Sequence, residues 1–376
     1  MKKTICILRS NPVNPDSRVE KEARALEVAG YKVIVFCWDR SSSHDIQKEI
    51  LHNSQIEIYR AGYKASYGEG MKNIVPYLKF QICMKRWLRE NSNLFDAVHA
   101  CDFDTANFSI NTVKKLKKIF VFDIFDFICG SPRNILQKII KKVEFNIINR
   151  SDATIICTED RRRQIIGSNP KKLIVLHNTP PAIEEFPIVD KKNHNNINVV
   201  YVGILSNNRL LLEELEVFKR HPEWHFYVGG FGLHEKAFID ASQKYGNIHF
   251  LGKISYEETL RLESNADIML AIYDPTIENH IFAAPNKFYE ALMLGKPLIM
   301  VKNTGMTTNL RKYNFGVLID YSEYSFESGL EILVGRKEEW ASMSTTMKSL
   351  YREFYNWDIM KDRLINMYSE LFNDRS

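Results

Sequence analysis

Strand and helix signals alternate along this chain in two series, one in each half, and a polar stretch separates the two series. In the first half, a helical pattern at residues 18–29 ends at Gly30, where a glycine commonly closes a helix, and the β-branched run at 32–36 follows it. Further strand-like runs occupy residues 3–8, 97–99, 119–122, 153–157 and 173–176. Strands that alternate with helices pair in parallel, so this half predicts a doubly wound parallel sheet.

The pattern restarts after a stretch rich in proline and asparagine at residues 178–198. Strand-like runs occupy residues 199–203, 225–229, 248–252, 267–271, 297–301 and 316–319, and helical segments start near residues 325, 337 and 357. The sequence therefore predicts an α/β protein with two Rossmann-like domains, at residues 1–180 and 198–354, joined by a linker at 181–197. We expect the domains to face each other across one ligand-binding cleft, because such sheets bind ligands outside the carboxyl ends of their strands.

Composition and cysteine usage narrow the class of protein. With 45% hydrophobic and 26% charged residues, the chain has the composition of a globular protein that buries sizeable cores. The six cysteines show no CxxC spacing and lie mostly in apolar runs, so we predict reduced core residues: Cys6, Cys37, Cys83, Cys101, Cys129 and Cys157. No apolar run is long enough for a signal peptide or a membrane span, so we expect a cytoplasmic location.

The positive charge is concentrated in the first half. Residues 1–190 carry 30 Lys and Arg against 22 Asp and Glu, whereas the remainder carries 21 against 24. Basic and apolar residues interleave at residues 84–90, 113–118 and 137–142, as they do in helices at a membrane surface. We predict peripheral contact with an anionic membrane and no nucleic-acid partner; ordinary solvated helix faces are the alternative.

The segment "APNKFYEALMLGKPLI" at residues 284–299 is a candidate anion site. Pro285 suits the start of a helix, whose first turn directs unpaired backbone N–H groups at a ligand. Lys287 adds a positive charge where the helix dipole would favour an acid, which suits a bound diphosphate. Glu290 shares that face, and a carboxylate can accept two hydrogen bonds from a ribose diol. The alternative is an ordinary Lys/Glu surface pair.

Two further turns in the second half show related chemistry. In "YVGILSNNRLLLEELE" at residues 201–216, a strand ends at Gly203 and Arg209 stands before a helix, where a guanidinium can bind phosphate oxygens in bidentate fashion. In "VGGFGLHE" at residues 228–235, Gly230 and Gly232 allow close backbone approach to a ligand. This is only a GxG, which is weak as a dinucleotide fingerprint.

In their order and spacing these segments resemble the retaining, nucleotide-sugar-dependent glycosyltransferases of family 4, of the bacterial polysaccharide-biosynthesis type, which have the GT-B fold. The resemblance in the second half rests on residues 201–209, 228–232, 248–273 and 286–299, and in the first half on residues 14–33, 95–102 and 175–180. Residues 355–376 resemble the family's terminal helix, which packs back on the first domain. The resemblance spans nearly the whole chain.

The resemblance implies roles for residues of the second half. Glu290 matches the glutamate that holds the donor ribose, and Arg209 a basic residue on the donor diphosphate. Lys253 and Ile254 match the segment beside the nucleobase, and Gly230 to Gly232 match a glycine turn near the donor. We predict that Lys287 and the helix start at Asn286 and Phe288 also bind the diphosphate.

In the first half the resemblance implies that His99 follows a strand near the cleft. Many relatives have a histidine at the position of Phe125, which makes Asp126 the nearest polar group, so we predict catalytic roles for His99 and Asp126. Asp102 and Asp104 form a DxD in a loop that we expect to face the acceptor; metal binding and simple solvation are the alternatives. Arg18 could reach an acceptor phosphate, although a capping role for Asp16 or Ser17 is the simpler interpretation of that turn.

Two departures from the family pattern concern the donor. Phe282 stands where many members have a glutamate that contacts the donor sugar, and the nearby polar residues Glu278, Asn279 and His280 lie at other spacings. Ile204 stands where many members have a second diphosphate-binding arginine, and we expect Lys287 to compensate.

These features predict an enzyme that transfers a sugar from a nucleoside-diphosphate donor to a saccharide or polyprenyl-diphosphate-linked saccharide, with retention at the anomeric carbon and without a cofactor or metal. The departures at Phe282 and Ile204 leave two alternatives open. One is a non-catalytic subunit that binds sugar nucleotides, and the other is a GT-B-fold sugar-nucleotide epimerase.

Overall fold

The computed structural model describes residues 2–14, 16–66, 70–128, 132, 134–183 and 196–375, with no side-chain detail at 70 and 71. The chain forms two compact units: unit 1 comprises Met1–His177 and Met360–Ser376, and unit 2 comprises Asn178–Ile359. Most of the predicted linker lies at 184–195, outside the described residues, as does Cys129. The five described cysteines are free and buried, as predicted for them.

Unit 1 is built on an eight-stranded sheet. Its strands are β1 (Thr4–Arg9), β2 (Lys32–Asp39), β3 (His44–Ile50), β4 (Glu57–Gly62), β5 (Ala97–Cys101), β6 (Ile119–Ile124), β7 (Ala153–Ile156) and β8 (Leu173–Val175). The strand order is β3-β4-β2-β1-β5-β6-β7-β8. The connecting helices are α1 (Ser17–Val28), α2 (Ile74–Glu90), α3 (Asp102–Lys115) and α4 (Ile135–Arg150). Every strand pairing in this sheet except that of β3 with β4 is parallel, as the alternation predicts.

The sheet of unit 1 differs from a purely parallel one at its edge, where β3 runs antiparallel to β4. Most of β3, "HDIQKEI", is exposed, and its sequence mixes polar residues with two isoleucines. Sequence patterning therefore predicts no strand there, because an edge strand needs no buried apolar face and is often kept charged.

The capping role predicted for Asp16 at the start of α1 is confirmed: the Asp16 carboxylate accepts a hydrogen bond from the backbone N–H of Val19 at 3.2 Å.

Unit 2 contains a six-stranded, wholly parallel sheet in the order β11-β10-β9-β12-β13-β14. Its strands are β9 (Ile197–Leu205), β10 (Trp224–Gly232), β11 (Ile248–Gly252), β12 (Ile268–Ala271), β13 (Leu298–Val301) and β14 (Gly316–Ile319). Its helices are α5 (Leu211–Arg220), α6 (Glu235–Lys244), α7 (Tyr256–Asn265), α8 (Glu278–Ile281), α9 (Asn286–Leu294), α10 (Thr307–Tyr313), α11 (Glu323–Gly335) and α12 (Trp340–Leu350). The last helix, α13 (Trp357–Asn373), belongs to unit 1 from Met360 onward.

The parallel sheet of unit 2 brings the carboxyl ends of its strands to one edge. The turns that follow β9, β10, β11 and β12 therefore converge there, and α9 begins on that side, after β12 and α8. Gly295 closes α9 with a φ of +68°, a left-handed conformation that glycine adopts without strain. Among the described residues, none of the helices is long and apolar enough to cross a membrane.

Candidate functional site

The cation of Lys287 lies at the carboxyl edge of the unit 2 sheet. A Cβ atom added at Gly203 would be 2.9 Å from Nζ of Lys287, so the ammonium occupies the space that a side chain at 203 would fill. The same Nζ lies 4.7 Å from the centre of the Tyr201 ring. Burial alone would lower the pKa of Lys287, but the neighbouring groups of Tyr273, Tyr201 and Glu290 raise it above its ordinary value. Lys287 is therefore charged at neutral pH.

The guanidinium of Arg209 shares a neighbour with Lys287. It stacks 4.1 Å from the centre of the Tyr273 ring, and Tyr273 is also among the groups that raise the pKa of Lys287. Nη1 of Arg209 lies 3.2 Å from Nε2 of His280. Nδ1 of His280 lies 2.9 Å from the carbonyl oxygen of Asp274 and must donate there, which makes Nε2 the acceptor for Arg209.

Arg209 and Lys287 therefore gather at the end of β9, one from the turn after that strand and one from the start of α9. Two cations at a strand edge beside a helix N-terminus form a site suited to a diphosphate. Their role in binding a diphosphate stays a prediction.

Glu290 lies one turn along α9 and is 4% exposed. The phenol of Tyr256, at the start of α7, hydrogen-bonds to Glu290, and burial together with this carboxylate raises the pKa of Tyr256. Glu263, near the end of α7, is buried, and its pKa is raised well above the ordinary value first by burial and then by Glu290. Burial therefore favours the neutral form of Glu263.

Glu214 is a further buried acid close enough to Lys287 to interact with its charge. Glu214, in the first turn of α5, is completely buried, and neither of its carboxyl oxygens has a hydrogen-bond partner among the residues that the structure describes. Burial raises its pKa well above the ordinary value, and Lys287 opposes that rise. The sequence pattern of α5 did not distinguish this acid from the exposed Glu213 and Glu216 beside it.

The two candidate glycines lie within a strand, because β10 continues to Gly232 and there is no turn at Gly230. Gly230 has a φ of +140°, and a Cβ there would be 1.8 Å from the carbonyl oxygen of Gly203. Only glycine fits this approach of two strand ends. The prediction of a glycine turn is wrong in its local structure, although the close backbone approach is confirmed.

The start of α9 departs from the prediction in detail. The backbone N–H of Phe288 donates to the carbonyl oxygen of Pro285 at 3.0 Å, and the Phe288 ring is completely buried. Phe288 therefore packs in the core and offers neither its ring nor its amide to a ligand. Asn286 is exposed and its side-chain oxygen accepts a hydrogen bond from Asn178 at 2.8 Å. Lys253 is exposed directly after β11, and Ile254 follows it.

In unit 1, His99 lies inside β5 and is completely buried, so the prediction that it follows a strand is wrong. Its Nδ1 lies 2.9 Å from the hydroxyl of Tyr368, and its Nε2 lies 3.3 Å from the carboxylate of Asp123. Arg18 donates to the same Asp123 at 2.7 Å and to Glu22 at 3.0 Å. Arg18 is 6% exposed and bonded to two buried carboxylates, which argues against its predicted contact with an acceptor phosphate.

The DxD residues begin α3, so the expected loop is a helix start. Asp102 forms an ion pair with Arg9, and its other oxygen accepts the backbone N–H groups of Phe125 and Asp126 at 3.0 and 3.2 Å. Its carboxylate therefore holds the turn after β6 against β1. Burial raises the pKa of Asp104 above its ordinary value.

Asp126 is paired with Arg161 at 2.8 Å, and 66% of its side chain remains exposed. Of the acids predicted in this half, it offers the most surface to a ligand. Its catalytic role stays a prediction.

One group of potential metal ligands occurs among the described residues: the ligand atoms of His99, Cys101 and Asp123 lie within 4.8 Å of one another. These residues do not fit a metal ion. The guanidinium of Arg18 is already bonded to Asp123, and burial raises the pKa of the Cys101 thiol well above its ordinary value, which opposes the thiolate that a metal ligand requires.

Comparison with known proteins supports this architecture. Residues 183–333 match the model of the family described as Glycosyl transferases group 1. No curated protein sequence matches the chain.

Several solved structures share the fold over nearly the whole chain. Sucrose-phosphate synthase from Thermosynechococcus elongatus superposes with a TM-score of 0.76 at 13% identity, covering 99% of this chain and all of the other. HepE of Anabaena in complex with UDP-glucose gives 0.69 at 13% identity, covering 98% and 99%. WaaG, a glycosyltransferase involved in lipopolysaccharide biosynthesis, gives 0.68 at 13% identity, covering 97% and 99%. The predicted GT-B fold, with two Rossmann-like domains, is therefore confirmed.

Proposed function

We propose that this protein is a glycosyltransferase that moves a sugar from a nucleoside-diphosphate donor to a saccharide acceptor. The observation that supports this most strongly is the pair of cations beside Tyr273 at the end of β9, with Glu290 one helical turn from Lys287. A departing diphosphate gains negative charge as the sugar bond breaks, and preorganised cations stabilise that charge. Glu290 supplies a carboxylate for the ribose diol.

The match of residues 183–333 to the glycosyltransferase family model agrees with this assignment. HepE of Anabaena was solved with UDP and with UDP-glucose, which makes a uridine diphosphate sugar the first donor to test. We further propose retention at the anomeric carbon, with the departing phosphate helping to deprotonate the acceptor, so that no dedicated protein base is required. Among the polar residues near Phe282, which stands where the family has a glutamate, we propose that His280 contacts the donor sugar, because it accepts a hydrogen bond from Arg209.

The test is turnover of the purified protein with UDP-, GDP-, dTDP- and CMP-linked sugars, with and without saccharide or lipid-linked saccharide acceptors. Release of the nucleotide that depends on an acceptor, together with a new glycosidic bond, is the expected result. Binding without consumption of any donor would instead identify a non-catalytic subunit. Conversion of the donor sugar without an acceptor would identify an epimerase.

We also propose that unit 1 contacts an anionic membrane, where a lipid-linked saccharide of cell-surface polysaccharide synthesis would be the acceptor. Of the three predicted stretches, only residues 137–142 contribute to the surface that we propose, through Lys138 and Ile139. The stretch at residues 113–118 runs past the end of α3 at Lys115, and the apolar residues Met84, Trp87 and Leu88 of α2 are buried.

The exposed apolar residues lie instead in the first halves of α2 and α4: Ile74, Val75, Leu78 and Ile82, and Ile135, Leu136 and Ile139. Both helices start on the side where the parallel strands of unit 1 end, and both pack against α3. Exposed lysines such as Lys79 and Lys138 accompany them. Apolar side chains flanked by lysines favour the surface of an anionic bilayer.

Replacing Ile74 and Ile135 together by glutamate is expected to lower the partition onto vesicles that contain anionic lipid by about tenfold, because it removes apolar contact and adds repulsion. Ile135 is 77% exposed, so folding should be unaffected. Ile332→Glu, at a 52% exposed isoleucine of α11, is the matched control and should bind like the unchanged protein. Equal sedimentation of the unchanged protein with anionic and with neutral vesicles would rule out this membrane proposal.

A further inference from the structure

A basic cluster lies at the edge of the unit 1 sheet where the parallel strands begin. Asp152 directly precedes β7, Lys171 comes shortly before β8, and Lys114 lies in the last turn of α3. Arg375 follows the end of α13 and also belongs to unit 1. The parallel strands end at the other edge, where α2 and α4 start, so the cluster lies apart from the proposed membrane surface. It includes part of the predicted stretch at residues 113–118, which that surface leaves out.

One carboxylate serves three cations in this cluster. Nζ of Lys114 lies 2.7 Å from Oδ2 of Asp152, and Nη2 of Arg375 lies 3.0 Å from the same oxygen. Nζ of Lys171 lies 3.5 Å from Oδ1. Because Oδ2 also accepts the backbone N–H of Phe120 at 2.8 Å, it is already shared among three donors. Three cations against one carboxylate leave an excess of two positive charges, and each cation keeps further N–H donors.

The three cations repel one another. Burial lowers the pKa of Lys114, Asp152 opposes this effect, and Lys171 and Arg375 lower the pKa further. Burial would raise the pKa of Asp152, but the surrounding cations hold it below its ordinary value, so this carboxylate is ionised at neutral pH. The dipole of α3 accounts for a lysine in its last turn, but not for three cations that converge on one carboxylate. A multivalent anion bound among them would relieve the repulsion.

The donors of the cluster match a phosphate group. A guanidinium binds phosphate oxygens in bidentate fashion, and an ammonium binds them as a point charge. A ligand can reach both kinds of donor, because 58% of the Lys171 side chain and 38% of the Arg375 side chain are exposed. Apolar residues that could enter a bilayer are not offered by the adjoining stretch, where Val113 is completely buried and Leu116 is half-buried. The cluster therefore favours a soluble ligand over a lipid surface.

We propose that the basic cluster of Lys114, Lys171 and Arg375 around Asp152 is an anion site that binds a phosphate group of a soluble ligand. This site is separate from the candidate diphosphate site at Lys287 in unit 2 and does not depend on the proposed function. Asp152 holds the three cations together, and its own negative charge opposes that of the ligand.

The experiment is calorimetric titration with inorganic phosphate of the full-length Lys287→Ala variant, in which the diphosphate site is weakened. Adding Lys171→Gln and Arg375→Gln together is expected to weaken phosphate binding by about tenfold or more, because two of the three cations are removed. Both side chains are partly exposed, so folding should be unaffected, and thermal unfolding checks this. Asp152→Asn is expected to strengthen phosphate binding by roughly three- to tenfold, because it removes a competing negative charge. A role confined to packing would not produce a gain of affinity.

Lys302→Gln is the matched control, because Lys302 pairs with the single carboxylate of Asp320 on the surface of unit 2. It should leave phosphate affinity unchanged. Absence of phosphate binding, or an affinity that the double replacement does not change, would overturn the proposal.

A second arm separates a soluble ligand from a lipid headgroup. Sedimentation with vesicles that contain phosphatidic acid should be the same for the unchanged protein and for the protein with Lys171→Gln and Arg375→Gln. A clear loss of vesicle binding in that double variant would assign the cluster to lipid headgroups and contradict the proposal of a soluble ligand.

Discussion

Replacing Lys287 by alanine is expected to lower kcat/KM for sugar transfer by about 10²- to 10³-fold, the usual loss when one preorganised charge-stabilising group is removed. The ammonium sits against Gly203 and Tyr201 and is held charged by its neighbours, so it is already in place before the diphosphate departs. Because the charge on the phosphate grows in the transition state, we expect kcat to fall more than KM rises. Both kcat and KM are measured from the steady-state rate at which the nucleoside diphosphate is released.

The control for this variant is Lys302→Ala. Lys302 follows β13, is 43% exposed in its side chain and pairs with Asp320 on the surface. It removes the same formal charge from the same unit and should leave turnover unchanged. Lys287→Met keeps the length of the side chain, so it separates loss of charge from loss of packing beside the buried Glu263 and Glu290. Thermal unfolding of both Lys287 variants checks that they are folded. Undiminished turnover in both variants at Lys287 would exclude its assigned role.

The sequence allowed the candidate residues of unit 2 to be placed because backbone periodicity determines where strands end. Once β9 and α9 are placed, the topology alone brings Arg209 and Lys287 to one edge. Contacts between side chains could not be predicted in this way, because the hydrophobic periodicity of a sequence carries no information about them. The shared neighbour Tyr273, the hydrogen bond from Arg209 to His280 and the buried Glu214 all depend on tertiary packing.

In unit 1, by contrast, several of the predicted site residues are buried. Polar residues at the ends of β1, β5 and β6 suggested a ligand-facing cluster, but the structure uses several of them for its own interior. The histidine in the run "AVHAC" is flanked on both sides by apolar residues, as in a strand buried on both faces, and His99 is indeed buried. Its burial could have been predicted from that run, whereas its partner Tyr368 is 269 residues away and could not.

Replacing Arg18 by methionine is expected to reduce the free energy of unfolding by about 3–5 kcal/mol at pH 7.5, as found when one partner of a buried ion pair is removed. Arg18 is the cation between the buried carboxyls of Asp123 and Glu22. Burial would raise the pKa of Asp123, but Arg18 and His99 hold it below its ordinary value. The pKa of Glu22 is raised to about 7 by burial and by Asp123 even with Arg18 present. Without Arg18, the two buried carboxyls keep His99 as a neighbour, at 3.3 and 3.5 Å, but lose their permanent cation.

The pH dependence distinguishes this charge effect from lost packing. In the unchanged protein, the lowered pKa of Asp123 contributes stability that is present above about pH 5 and lost as the pH falls through that pKa. In Arg18→Met the carboxyl pKa values lie above those of the unfolded chain, so the variant gains stability as the pH falls from about 7 toward 5. The difference between the two proteins should therefore be largest above pH 7 and shrink toward pH 5, as measured by urea unfolding across that range.

Arg161→Met is the matched control. Arg161 is as buried as Arg18, at 2% exposed, but its partner Asp126 keeps 66% of its side chain in water and remains hydrated when the arginine is lost. We expect a smaller loss of stability with little dependence on pH between 5 and 8, since an exposed carboxylate is not perturbed by losing a partner as a buried one is. Equal, pH-independent losses in the two variants would mean that Arg18 stabilises unit 1 through packing and not through its charge.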